Sequence, residues 1–82
     1  MQKRRLVYTH HAEDRMRQRG ITKDEVEYCL DQPEICYKDP KGNPIYRGLV
    51  PGGKKIKVVT AADTSDQIVI ITVADLPPEE ES

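Results

Sequence analysis

Three side chains suited to holding an anion recur at four-residue spacing near the start of the chain. They are His11, Arg15 and Arg19, within the stretch Thr9 to Gly20, THHAEDRMRQRG. In a helix each residue advances about 100°, so the three fall within an arc of about 80°. Ala12 and Met16 extend that arc, so the charged stripe borders the face that should pack on a core. An imidazole titrates closer to neutral pH than any other side chain. In a first helical turn the positive end of the helix dipole favours its neutral, proton-accepting form, which suits His11 to general-base work. The guanidinium groups of Arg15 and Arg19 are forked donors that can hold a phosphate at two points. A structural reading stands beside this one. His11 would orient the helix through a backbone carbonyl, and the arginines would pair with Asp24, Glu25 or Glu27 of the next helix. His10 points about 100° away from His11 and reads as a solvated cap residue, and Arg17 reads as outer face.

A second basic group lies further on. Arg47 and Lys57 interrupt otherwise apolar strands, and Tyr46 adjoins Arg47. If those strands pair around Pro51-Gly52-Gly53, Arg47 and Lys57 approach across the ladder, an unfavourable arrangement unless an anion or a carboxylate sits between them. The bland alternative is charge on an exposed strand face. Gly-rich phosphate loops, nucleophile elbows, metal-ligand spacings and carboxylate dyads are all missing from the sequence, which implies neither cofactor nor metal.

The elements that must position these residues follow from local signals. Arg5 to Tyr8 reads as a short strand and Thr9 as the N-cap of the first helix, with Gly20 as its left-handed stop. Thr22 and Glu25 form a capping box, Ile21 and Val26 a hydrophobic staple, and Pro33 ends the second helix, whose inner face is Val26, Cys29 and Leu30. Strands are expected at Glu34 to Lys38, Ile45 to Val50, Lys55 to Ala62 and Gln67 to Ala74, separated by turns at Asp39 to Pro44, Pro51 to Gly53 and Asp63 to Asp66. The order β-α-α-β-β-β-β is an α+β fold with two N-terminal helices on one face of a mainly antiparallel sheet. In the last strand Ile68 and Ile70 should face one way, and Val69, Ile71 and Val73 the other. Both faces being apolar, this predicts a central strand whose uncovered side meets a partner chain, a protein inhibitor or the sheet's own curled edge.

Eighty-two residues suit one domain, expected over 1–76, with 77–82 an acidic disordered tail. There is no Phe or Trp, so the core must come from Ile, Val and Leu with help from four tyrosines. The net charge of −1 does not announce a nucleic-acid binder, but its distribution is polarised. Residues 1–19 carry six basic side chains against two acidic ones, whereas no Lys or Arg follows Lys57. Cys29 and Cys36 have neither redox nor zinc spacing and are expected as two buried free thiols. No apolar run reaches the length of a membrane span or a signal peptide, which predicts a cytoplasmic protein.

The residues His11-Ala12, Arg15-Met16, Arg19-Gly20-Ile21-Thr22, Glu25-Val26 and Pro33 resemble the opening signature of the domain-of-unknown-function family 4258. Ile70-Ile71-Thr72-Val73 resembles that family's closing apolar run. The resemblance covers roughly residues 6 to 75. In element order that family is similar to RelE/ParE-like and BrnT-like toxins. The resemblance therefore implies a RelE-like fold and a metal-independent endoribonuclease paired with an antitoxin. On that reading His11 is the base, Arg15, Arg47 and Lys57 share phosphate stabilisation and leaving-group work, and Arg19 and Tyr46 contact the RNA. The reading of a different class is a non-catalytic interaction domain that self-associates or docks a partner through the apolar sheet face.

Overall fold

Thr9 fixes where the first strand stops and the first helix starts. Its hydroxyl oxygen accepts from the Ala12 N–H at 3.1 Å and donates to the Ile71 carbonyl at 3.0 Å, so one side chain caps the helix and ties it to the sheet. The computed structural model describes residues 5–61 and 66–76. The basic N-terminal end, most of the turn expected at Asp63 to Asp66, and the tail at 77–82 lie outside those residues.

In chain order the elements are β1 (Arg5–Tyr8), α1 (His10–Arg19), α2 (Lys23–Asp31), β2 (Ile35–Lys38), β3 (Pro44–Val50), β4 (Lys54–Thr60) and β5 (Gln67–Asp75). Gly20 closes α1 at φ 67°, a left-handed conformation that costs a glycine little, and its N–H bonds the Met16 carbonyl. The capping box of α2 is complete, with Glu25 N–H donating to Thr22 Oγ1 at 3.1 Å and Thr22 N–H donating to Glu25 Oε1 at 3.0 Å. Those bonds, with Lys54 beside them, hold the Glu25 carboxyl below its ordinary range.

The five strands form one sheet in the order β1-β5-β4-β3-β2, parallel between β1 and β5 and antiparallel elsewhere. This is the expected α+β architecture. Both helices pack on one face, α1 over β5 and α2 over β3 and β4. Their buried side chains, Ala12, Met16, Val26 and Cys29, with Ile21 from the link between them, close on Val50, Ile56, Val58, Ile68, Ile70 and Val73 in one core. A glycine at 48 allows α2 to sit this close. A Cβ there would lie 3.3 Å from the Glu34 backbone nitrogen and 3.6 Å from Cys29 Sγ. Thr60, the one buried polar side chain among the described residues, donates to the Pro44 carbonyl at 3.0 Å.

Two expectations are corrected. Val73 does not share a face with Val69 and Ile71. The register shifts from Thr60–Ile70 to Val59–Thr72, so Ile71 is an extra residue and the bulge turns Val73 back into the core. Cys36 is exposed, because β2 is the last strand of the sheet and exposed along its whole length, while Cys29 is fully buried.

Candidate anion-binding site

The face of the sheet away from the helices is ordered by register. Ile56 and Val58 are both fully buried in the core, so Lys57 between them points to the opposite face. Gly48 lies against Cys29 and Pro33, so its neighbours Arg47 and Leu49 also point away from the helices. Reading across the strands, one row is Ile35, Arg47, Lys57 and Ala74, and the next is Tyr37, Ile45, Val59 and Thr72. Arg47 and Lys57 are direct partners, half-buried, and among the described residues neither has a carboxylate within ion-pair distance. Lys55, two residues before Lys57, is paired with Glu34 at 3.1 Å. Two cations brought together without a counter-ion make a seat for an anion.

The α1 residues form a second group. His11 is exposed and Arg15 half-buried, and neither has an ion-pair or hydrogen-bond partner among the described residues. Arg19, on the same stripe, reaches Asp75 of β5 at 3.6 Å instead of the α2 carboxylates. Thr9 at one end of α1 bonds Ile71 and Arg19 at the other meets Asp75, so the helix runs alongside the second half of β5. β1 pairs only with Gln67 to Ile70, leaving that half without a strand on its outer side among the described residues. The residues expected to form one site therefore divide between two faces: His11 and Arg15 belong to the helix packed on one face, and Arg47 and Lys57 point from the other, with Ala74 of β5 the direct partner of Lys57. His10 and Arg17 both turn to Asp14, His10 at 3.6 Å, as solvated surface pairs.

Tyr46 is placed apart from Arg47. It packs against the core on the helix side, because neighbouring residues on a strand face opposite ways. Tyr37 takes its place beside the cations, diagonal to Arg47 on the open face and 38% exposed. Only the pairing of β2 with β3 identifies Tyr37, and no local signal in the sequence carries that register. Tyr8, at the end of β1, has Lys23 Nζ 5.0 Å above its ring. Its hydroxyl is buried without a hydrogen-bond partner among the described residues, and burial, then Glu27 and Asp24, push its pKa up to about 12. Among the described residues no three His, Cys, Asp or Glu side chains converge as metal ligands, and no helix is long and apolar enough to cross a membrane.

Fold and surface together describe a small α+β protein with two helices behind an open sheet and a bare basic pair in front. The family model described as Domain of unknown function (DUF4258) matches residues 8–75, and the chain belongs to that family. No curated protein and no solved structure matches it.

Proposed function

We propose that this chain acts on RNA, as a toxin-like endoribonuclease whose phosphate seat is the Arg47–Lys57 pair. The observation that carries the reading is that pair itself, two half-buried cations in register with no carboxylate within ion-pair distance of either among the described residues. Retaining such a pair costs stability unless an anion is the ligand. His11 and Arg15 belong to the helix on one face of the sheet, and Arg47 and Lys57 point from the other, with β5 between the two groups. The two groups would therefore engage different phosphates of one strand that passes from the open face round the uncovered half of β5. His11 takes the proton of the 2′-hydroxyl, and the 2′-oxygen bonds to phosphorus. The P–O5′ bond then breaks, and the departing 5′-oxygen takes a proton from water. Arg15 stabilises the charge that builds on the phosphorane oxygens, while Arg47 and Lys57 hold a neighbouring phosphate. Arg19, tied to Asp75, braces the helix. The products are a 2′,3′-cyclic phosphate and a 5′-hydroxyl end.

The test is incubation of purified protein with end-labelled RNA in the presence of a chelator. His11→Ala should abolish cleavage while circular dichroism shows an unchanged fold. Full-rate cleavage by His11→Ala removes that residue from the mechanism, and absence of cleavage by the unmodified protein on naked and ribosome-bound RNA removes the activity.

A second reading rests on Ile35 and Leu49, which are 52% and 45% exposed on the same face. It makes the face a protein-docking surface, for an antitoxin or for a second copy of the chain. Light scattering after size exclusion separates the two. A homodimer that shields Ile35 and Leu49 from labelling supports docking, whereas a monomer that binds RNA supports the first reading.

A further inference from the structure

Building on the RNA reading, we infer that the ligand of the open face is single-stranded, with one nucleobase stacked on the Tyr37 ring while its phosphate rests on Arg47 and Lys57. Tyr37 pairs with Ile45, and Arg47 with Ile35 one row away, so the ring and the guanidinium are diagonal neighbours on one face. Such positions are about 7–8 Å apart between Cα atoms, within the reach of one nucleotide from its phosphate to its base. The ring is exposed, as is Ile35 beside it, and β2 ends the sheet, so no strand among the described residues overhangs them. Aromatic rings next to cations bind unpaired bases with little sequence preference, since every base has a π-face. A duplex keeps its bases inside and presents only phosphates. Against it Tyr37, Ile35 and Leu49 would be left facing sugar and charge with nothing to bury them. An acidic peptide would answer Arg47 and Lys57 but gives the ring no stacking partner.

The experiment is fluorescence anisotropy with four labelled probes. They are a 2′-O-methyl single strand that cannot be cleaved, its duplex, an abasic strand of the same length, and polyglutamate. The unmodified protein should bind the single strand most tightly. Tyr37→Leu keeps an apolar side chain without a π-face, and should weaken single-strand binding about tenfold while leaving the abasic strand unchanged. Tyr37→Phe should bind as the unmodified protein does. Duplex bound as tightly as the single strand, or a Tyr37→Leu variant with undiminished single-strand affinity, overturns the inference. Polyglutamate bound more tightly than RNA overturns it in favour of a protein partner. If Arg47→Ala weakens every RNA probe while Tyr37→Leu weakens none, only the stacking assignment fails. If no RNA probe binds at all, the RNA reading fails with it.

Discussion

Arg47 and Lys57 face each other across the β3–β4 ladder, and among the described residues no carboxylate lies within ion-pair distance of either, Glu34 nearby being paired with Lys55. Like charges in that position oppose folding by about 0.2–1 kcal/mol. Lys57→Thr removes the repulsion and installs a residue that favours strands. It should therefore stabilise the protein by about that amount in dilute, phosphate-free buffer, with the gain shrinking as salt is added. Urea titrations at two ionic strengths check this. A destabilised variant would mean that Lys57 has a structural partner.

Tyr8 carries a cost of a different kind. Among the described residues its buried hydroxyl has no partner to bond, while the ring packs on the core beneath Lys23. An unsatisfied buried donor forgoes about 1–3 kcal/mol of hydration, so Tyr8→Phe should be neutral or stabilising, and Tyr8→Ala should lose about 3 kcal/mol or more. Thermal unfolding of the two variants distinguishes packing from hydrogen bonding at this site.

The second helix depends on its cap, and the cap depends on pH. The folded-state pKa of Glu25 is lowered by the Thr22 N–H foremost, so its contribution to stability is complete above the ordinary value of 4.5 and is lost as pH falls through the folded value. Thr22→Ala should cost about 1 kcal/mol at pH 7. Glu25→Gln should flatten the fall in stability below pH 4.5, a difference read from denaturation at pH 7, 4 and 3.

The two thiols should separate cleanly under alkylation. Cys29 is fully buried, donates to the Tyr46 carbonyl at 3.7 Å, and is pushed up to about 11 by burial and then by Glu34. Cys36 lies exposed on the edge strand. Iodoacetamide at pH 8 should add one group, at Cys36, to the folded protein and two after denaturation, as counted by mass spectrometry.

Local chemistry made the helical half legible. Thr9, Gly20, Thr22, Glu25 and Pro33 each act within a turn of their own position, and caps and stops need no knowledge of the rest of the chain. The sheet was legible in outline for the same reason, since Pro51-Gly52-Gly53 sets the β3–β4 pairing that joins Arg47 to Lys57. What depends on distant partners was not. The bulge at Ile71 exists only because β4 and β5 slip past one another there, and it reverses the facing of Val73. The Arg19–Asp75 pair joins residues far apart in the chain. Cys36 is exposed because β2 is an edge, which is a property of strand order and not of its own sequence. Tyr46 and Tyr37 exchange places at the site for a related reason. Adjacency to Arg47 in sequence puts a residue on the opposite face, and adjacency in register puts it on the same one.

The central claim is that Arg47 and Lys57 hold phosphate, and the salt dependence of RNA binding tests it most directly. Each phosphate contact to a single strand contributes about 0.7 to the slope of log affinity against log salt. Because the two residues share one phosphate, replacing both by alanine should lower that slope by about 0.7 and weaken binding at every salt concentration. An unchanged slope, with the protein folded and RNA still bound, would contradict the claim and place the phosphates elsewhere on the molecule.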